Sequence, residues 1–380
     1  MQQTLKILSP WDGDFVNSRD GIEKDGALWI PVKVSVEATV NGIPTRYDAA
    51  ENSHIACVPL YGYRNTLVAC AGGEQVRRQI FVMAPEHLMK FRVSSDDNIR
   101  FLQDLTLGSY ASIFDHPYLA VYKKAHDLYG AVVHLNLFYA FDDRARSLFS
   151  DNPPYFDLSM MTDRYKAEFQ ANAHWLKLAF HAKSEFPDKP YQHADGKTVR
   201  EDCLAICREI CRFAGKECIS DSTTVHWGEA NREGVRALRA LGMRSLTGYF
   251  ETTESGEPLV SYYVDMQTLH HVGSRDFWMD TAEDMIFGRI DRVLNIGTLE
   301  ENRSAVVAAA EDPHRGGFVS LMIHEQYFYK DYVNYLADFE TRVLEGCRLL
   351  HERGYRGSLI SDVVRENSLR NYPGLNAGRL

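Results

Sequence analysis

From the amino terminus to about residue 86, apolar and polar positions alternate with a period of two. The clearest run, Leu28–Val36, is followed by Ala38–Val40 and then by the dipeptide Asn41-Gly42. Such alternation predicts half-buried β-strands, and Asn-Gly between β-prone flanks predicts a hairpin. We therefore predict a small β-sandwich domain of the immunoglobulin type over residues 1–87.

After His87 the pattern changes, and apolar runs typical of strands alternate with amphipathic stretches typical of helices. The predicted strands are residues 91–94, 131–138, 176–180, 222–225, 245–249 and 318–323. The predicted helices lie near residues 99–107, 118–129, 164–174, 199–214, 229–241 and 333–354. This order predicts βαβ units and a parallel sheet. We expect an α/β domain over residues 88–380, a distorted, seven-stranded (β/α) barrel.

Ionisable side chains follow four of the predicted strands. They are Asp96-Asp97, His181, His226 and His324. Because the carboxyl ends of parallel strands meet at one edge of a sheet, these groups are expected to converge there. Carboxylates and imidazoles suit a divalent metal, and an imidazole also suits proton transfer to a leaving group. Each position also has a structural interpretation, since an Asp pair can be a solvated turn that caps a helix.

Other side chains near these strand ends suggest a sugar site. Trp227 stands beside His226, and an indole can stack on the face of a pyranose ring. Tyr191 lies in the loop after His181 and could form a wall of the site. Glu325 or Asp280 could orient His324.

Composition narrows the function classes. The net charge is −10 and no cluster of Lys or Arg is present, which argues against binding to nucleic acid. No signal peptide or membrane span is visible, so we expect a cytoplasmic protein, although a sequence trimmed of its leader would look the same. No glycine-rich phosphate loop and no Gly-x-Ser-x-Gly motif occurs, which disfavours nucleotide binding and serine hydrolysis.

The chain contains seven cysteines, an odd number. Cys203, Cys207 and Cys211 are spaced by four residues. That spacing predicts a buried helical stripe, whereas metal clusters usually need pairs two or three residues apart.

At the four strand ends the chain resembles the polysaccharide deacetylase superfamily of the glycoside hydrolase/deacetylase barrels. The resemblance implies a zinc-type metal at the carboxyl edge, with Asp96 as general base and Asp97 and His181 as metal ligands. It also implies that His324 is the general acid. The resemblance covers about residues 88–360, and its motifs are short.

The chain departs from this family at two motifs. Glu185 stands where the family has its second histidine, which leaves Glu185, His193 and His226 as candidates for the third ligand, and we favour His226. Val225–Gly228 replaces a motif that usually offers an arginine and prolines.

These observations lead to three hypotheses. The first is metal-dependent hydrolysis of an acetyl or other acyl group on a carbohydrate, with zinc held by Asp97, His181 and His226, and with Trp227, Tyr191 and Glu325 binding the substrate. The second is a glycoside hydrolase that uses Asp97 and Glu325 without metal. The third is a non-catalytic, carbohydrate-binding barrel. The oligomeric state stays open.

Overall fold

The computed structural model describes residues 4–364, so the outermost residues of both predicted domains, 1–3 and 365–380, lie outside the described part. Residues 7–82 form two five-stranded sheets. Their strands are β1 (Ile7–Ser9), β2 (Phe15–Val16), β3 (Ile22–Lys24), β4 (Ala27–Val34), β5 (Thr39–Val40), β6 (Ile43–Pro44), β7 (Arg46–Asp48), β8 (Ser53–Leu60), β9 (Arg64–Ala71) and β10 (Glu74–Val82).

The two sheets share one apolar core. The first has the order β1-β4-β8-β7, with β3 also paired to β4, and the second has the order β2-β10-β9-β5-β6. Ile30 and Val32 of β4 lie in the same buried cluster as Leu67 and Ala69 of β9. The predicted hairpin at Asn41-Gly42 is confirmed: Val40 pairs with Ile43 and both turn residues have positive φ.

The rest of the chain alternates strands and helices, which confirms an α/β fold. Its strands are β11 (Lys90–Asn98), β12 (Val133–Phe138), β13 (Ala140–Phe141), β14 (Phe156–Asp157), β15 (Leu176–Ala182), β16 (Ser222–Thr223), β17 (Ser245–Gly248), β18 (Glu251–Thr252), β19 (Pro258–Leu259), β20 (Phe277–Asp280), β21 (Met285–Arg289), β22 (Arg292–Val293), β23 (Phe318–His324) and β24 (Arg356–Gly357). Its α-helices are α1 (Arg100–Leu107), α2 (Pro117–Tyr129), α3 (Asp143–Arg146), α4 (Lys166–Asn172), α5 (Gly196–Phe213), α6 (Arg232–Leu241), α7 (Met266–Gly273), α8 (Leu299–Glu311), α9 (Phe339–Glu352) and α10 (Ile360–Val363).

Two open sheets form the centre of this region. The larger has the order β15-β12-β11-β23-β22 with parallel neighbours, and β24 also pairs with β11. The smaller has the order β16-β17-β21-β20, in which only β20 is antiparallel. A single parallel bridge, Leu178 to Ile219, connects β15 to the chain just before β16. Within residues 4–364 no sheet closes on itself.

Local sequence explains where several helices begin and end. The side chain of Asn231 accepts a hydrogen bond at the start of α6, and Gly242 ends this helix in the left-handed conformation. Cys203 and Cys207 are buried on one stripe of α5, and both are free thiols. The helix predicted to start at Val333 begins instead at Phe339, because the preceding residues fold back as turns.

The β-sheet region at the amino terminus packs against β20 of the smaller sheet. Phe15 and Phe81 share a buried cluster with Phe277 of β20. Gly13 has a φ of +87° and approaches Met279 so closely that a Cβ atom would lie 1.8 Å from the Met279 carbonyl oxygen. Only glycine fits this contact. None of the helices in the described residues combines the length and apolar character needed to cross a membrane.

Candidate metal centre

The structure brings the four ionisable strand ends together, three of them from the larger sheet and His226 from the smaller one. β11 and β23 are parallel neighbours, and Asp96 lies opposite His324 in their register. His181 stands near the end of β15, and His226 follows β16 in a short 3₁₀ turn. Parallel pairing therefore gathers side chains that are far apart in the sequence, as the strand-end pattern predicted.

Asp97, His181 and His226 form a compact buried group that could hold a metal ion. Asp97 Oδ1 lies 3.0 Å from His181 Nε2 and 3.4 Å from His226 Nδ1. The two imidazole nitrogens are 3.1 Å apart. One ligand atom from each residue lies within 4.8 Å of the other two.

Backbone carbonyls fix which nitrogen of each imidazole faces this group. His181 Nδ1 lies 2.6 Å from the carbonyl oxygen of Thr224, and His226 Nε2 lies 2.9 Å from that of Glu185. Because a carbonyl oxygen only accepts hydrogen bonds, these two nitrogens carry the protons. In the neutral rings the remaining nitrogens present lone pairs to each other and to the Asp97 carboxylate. Three acceptors at this distance require a cation between them, either a proton or a metal.

The electrostatics of the group agree with that requirement. Burial opposes ionisation of Asp97, but hydrogen bonds from His181 and His226 outweigh it and hold the Asp97 pKa well below its ordinary value. Burial likewise opposes protonation of His226, and the hydrogen bond and charge of Asp97 overcome it, so the His226 pKa is raised. Asp97 is therefore the anion of the site, and His226 takes up the proton.

Two residues of the site have strained backbones. Asp97 has a φ of +63° and Trp227 a φ of +61°, in a region that non-glycine residues seldom occupy. Asp97 interrupts the regular pairing of β11 with β12, where the register shifts between Ser95 and Asn98. Such strain is common at functional sites, where surrounding contacts hold a side chain in one orientation.

Asp96 is buried beside Asp97 and faces different partners. Asn136 Nδ2 donates a hydrogen bond of 2.6 Å to Asp96 Oδ1. Arg92 is fully buried on the same strand, and its Nη1 has no hydrogen-bond partner among the described residues. Burial lowers the pKa of Arg92 to about 10, a shift that the charge of Asp96 opposes. Asp96 thus accepts a hydrogen bond from an amide and lies near a buried cation.

His324 lies at the margin of the group, with Nε2 3.9 Å from Asp97 Oδ2. Asn295 orients it, since Asn295 Oδ1 is 2.9 Å from His324 Nδ1 and also accepts the His324 backbone N–H. The orienting partners considered from the sequence, Glu325 and Asp280, make other contacts. Asp280 accepts hydrogen bonds from the Tyr263 hydroxyl and the Ala282 backbone N–H.

The alternative third ligands are outside the compact group. Gln326 Nε2 donates to Glu185 Oε2 at 3.2 Å and to Asp97 Oδ2 at 2.8 Å, and so holds the Glu185 carboxyl beside the site. Burial and the charge of Asp97 raise the pKa of Glu185 to about 8, which leaves this carboxyl largely uncharged at neutral pH. His193 is exposed and is not one of the three grouped residues.

The three residues predicted to bind substrate differ in exposure. Trp227 is 43% exposed next to His226. Tyr191 is buried, and its hydroxyl donates to Asp202 and accepts the Lys183 N–H. Trp227 thus has surface for a ligand to contact, whereas the role predicted for Tyr191 stays a prediction.

Glu325 has a structural environment at the start of α1. Its two carboxylate oxygens accept the backbone N–H groups of Ile99, Arg100 and Phe101 at 2.6 to 3.0 Å. These are groups that a helix leaves without partners at its amino end. The substrate-binding role predicted for Glu325 also stays a prediction.

Sequence reasoning missed Asn295 and Gln326, which contact His324 and Asp97. Asn295 follows β22, a two-residue strand with no alternation to reveal it. Gln326 is adjacent to residues that were considered, but only the 3₁₀ turn at Glu325–Phe328 directs it toward Asp97.

Comparisons with known proteins give weak likenesses. No family model and no curated protein sequence matches the chain. Among solved structures, a CE4 family pseudoenzyme from Bacillus anthracis is 7% identical, with a TM-score of 0.35 over 84% of this chain and 88% of that chain. A mutant CE4 family pseudoenzyme with restored enzymatic activity is 8% identical, with a TM-score of 0.35 over 84% of this chain and 91% of that chain.

A 4-alpha-glucanotransferase from Thermococcus litoralis is 10% identical, with a TM-score of 0.40 over 76% of this chain and 41% of that chain. At such overlaps the likeness establishes neither the family nor the activity of this chain.

Proposed function

We propose that this chain is a metal-dependent hydrolase that removes an acyl group from a carbohydrate, as polysaccharide deacetylases do. The observation that carries the proposal is the convergence of Asp97 Oδ1, His181 Nε2 and His226 Nδ1 with their lone pairs facing one another. A carboxylate and two imidazoles whose other nitrogens bond to carbonyl oxygens are a donor set that suits zinc.

In this proposal Asp97, His181 and His226 hold the metal. When bound, a divalent cation supplies a Lewis acid that polarises an acyl carbonyl and lowers the pKa of water. Three protein ligands are typical of catalytic zinc sites, which keep a further position open, whereas structural sites use four.

Proton transfer is assigned to the two residues that flank the ligands. Asp96 takes the proton of the attacking water as general base, with Asn136 holding its carboxyl group and Arg92 buried nearby. His324 gives a proton to the leaving amine or alcohol, with Asn295 fixing its ring. Trp227 offers its exposed face for a sugar ring.

We also propose that the two open sheets are a distorted barrel of the deacetylase type. The parallel bridge between Leu178 and Ile219 joins them at one margin, and the chain runs directly from β21 to β22 at the other. The strand region before residue 88 would then be a separate β-sandwich domain of the immunoglobulin type.

The metal-independent glycosidase is less well supported. It needs Asp97 and Glu325 to act together across a sugar. The Glu325 carboxylate is already bonded to three backbone N–H groups, and Asp97 is bonded to two imidazoles. The third hypothesis, a non-catalytic carbohydrate-binding protein, predicts sugar binding without metal and without turnover. Measurements of zinc content and of turnover distinguish it from the first hypothesis.

The test measures the zinc content of the purified chain and the release of acetate from an acetylated amino-sugar oligomer. The purified chain should bind one zinc ion, release acetate, and lose activity with a chelator. His226→Ala should abolish both zinc binding and activity, whereas His193→Ala, at an exposed position of the adjoining loop, should preserve both. Chelator-resistant hydrolysis, or sugar binding without zinc and without turnover, would reject the proposal.

A further inference from the structure

Buried polar side chains form a column on the inner face of β11, β17 and β23. Arg92 Nε donates to Ser320 Oγ at 3.0 Å, and Arg92 Nη2 donates to Thr247 Oγ1 at 2.9 Å. All three residues are at most 1% exposed. Side chains two and four positions apart on a strand share a face, so Asp96 is above Arg92 in this column.

The same alternation places Tyr249 above Thr247. Ser245 and Thr247 both contact hydroxyls of the neighbouring strand segment, which identifies the inner face of β17. Tyr249 is the next residue of that row, just beyond the last residue of the strand. It therefore lies at the same edge as Asp96.

The ring of Tyr249 is held in place while its hydroxyl is available. Its backbone carbonyl accepts Arg289 Nη1 at 3.0 Å, and its ring packs against Ile290, Val293 and Met322. The residue is half-buried, and between residues 4 and 364 its hydroxyl makes no hydrogen bond to the protein. A fixed aromatic ring with an unused donor is what a binding site for an oxygen atom requires.

Other tyrosines near the site are already engaged. Tyr327 shares a hydrogen bond with Asn295, and Tyr332 shares one with Asn334. Burial, and then the charges of Asp96 and Asp97, raise the pKa of Tyr249 well above its ordinary value. Its hydroxyl therefore keeps its proton at neutral pH and serves as a donor beside both carboxylates.

We infer that Tyr249 is a catalytic residue whose hydroxyl donates a hydrogen bond to the acyl oxygen of the substrate. The inference rests on the proposed hydrolysis. As the water oxygen bonds to the acyl carbon, the carbonyl electron pair moves onto the acyl oxygen, and Tyr249 stabilises that charge while Asp96 takes the water proton. The carbonyl then re-forms, the bond to the leaving nitrogen or oxygen breaks, and His324 protonates that atom. Tyr249 keeps its own proton throughout.

The experiment compares Tyr249→Phe with Tyr332→Phe, which removes a hydroxyl near Asp97 and Glu185. Zinc affinity is measured first, and acetate binding to the zinc-loaded proteins second, since an acetate oxygen imitates the charged acyl oxygen. Tyr249→Phe should keep the zinc affinity, weaken acetate binding by about tenfold and lower kcat by about 100-fold with little change in KM. Tyr332→Phe should match the wild type in every measurement.

The outcomes separate this inference from the function on which it rests. Absence of zinc binding in the wild type would reject both. Zinc binding with equal acetate affinity in the wild type and Tyr249→Phe, or with no acetate binding at all, would overturn the role of Tyr249 alone. If Tyr249→Phe does not fold, fluorotyrosine placed at this position keeps the ring and hydroxyl. Its fluorine resonance should then shift when acetate is added to the zinc-loaded protein, and an unchanged resonance would overturn the inference.

Discussion

Two buried carboxylates at the same edge of the larger sheet have opposite surroundings. Asp97, in β11, faces two imidazole nitrogens that carry lone pairs when the rings are neutral. Glu325, which follows the neighbouring strand β23, faces three backbone N–H groups at the start of α1. Hydrogen-bond donors satisfy a carboxylate without a further ion, whereas lone pairs do not. The difference teaches that burial and position at a strand end do not distinguish a ligand from a helix cap, whereas the partner atoms do.

The largest effect expected from this comparison is the loss of metal in Asp97→Asn. Asparagine has nearly the same size and tolerates the left-handed backbone at this position, so the fold should be kept. Without the carboxylate charge, zinc affinity should fall by about 1,000-fold or more, measured by calorimetry, and turnover should disappear. The control is Asp143→Asn, at a side chain 92% exposed. Zinc binding unchanged in Asp97→Asn would remove Asp97 from the ligand set.

The converse effect is expected in Glu325→Gln. The amide would direct an NH₂ group at backbone N–H donors, and the free energy of unfolding should fall by about 2 kcal/mol. Urea denaturation measures this change, with Glu254→Gln on an exposed loop as the control. The zinc affinity of Glu325→Gln should stay within about a few-fold of the wild type, because Glu325 is not a metal ligand in this proposal. Lost zinc with unchanged stability would reverse the assignments of the two carboxylates.

A third prediction concerns the pH dependence of zinc binding. The pKa of Asp97 is lowered, so this carboxylate is ionised at neutral pH, and the pKa of His226 is raised above its ordinary value, so this imidazole binds a proton that zinc must displace. Zinc affinity should therefore rise with pH and level off above the pKa of His226. Calorimetry in buffers of different ionisation enthalpy should detect about one released proton. Zinc affinity that is independent of pH between 5 and 9, roughly the range in which an imidazole titrates, would contradict the conclusion that a proton or a metal lies between these three acceptors.

The smallest effect comes from adding a carboxylate to the same edge with Asn295→Asp. A negative charge on the partner of His324 Nδ1 holds the proton of the general acid more tightly. The alkaline limb of kcat/KM should therefore move to higher pH by about one unit. Asn334→Asp is the control. An unmoved limb would mean that His324 is not the acid whose ionisation the profile reports.

Periodicity predicted the long elements because their burial is regular. β4, β12 and β15 carry continuous or alternating apolar side chains, and the Asn41-Gly42 turn has a single favoured geometry. Parallel pairing was enough to predict that Asp97 and His181 would meet. The strands β20 to β22 were missed, since two- to five-residue strands carry too few positions to show a period. The helices α7 and α8 were missed as well.

The orientation of individual side chains was beyond sequence reasoning. Glu325 and Gln326 are adjacent, but the 3₁₀ turn after β23 directs one to α1 and the other to Asp97. Similarly, His226 lies in a 3₁₀ turn in which the next residue, Trp227, has a left-handed backbone. No local propensity predicts such a conformation for tryptophan.

The left-handed backbone at Asp97 restricts how the metal preference of this protein could be redesigned. Aspartate, asparagine and glycine enter that conformation readily, whereas cysteine, histidine or glutamate at the same position would add conformational strain to any change in coordination. His181 lies in β15 at a register shift against β12, but its backbone is not left-handed, so other side chains fit there without that cost. A library that seeks affinity for softer or harder metals should therefore vary position 181 and leave position 97 as it is.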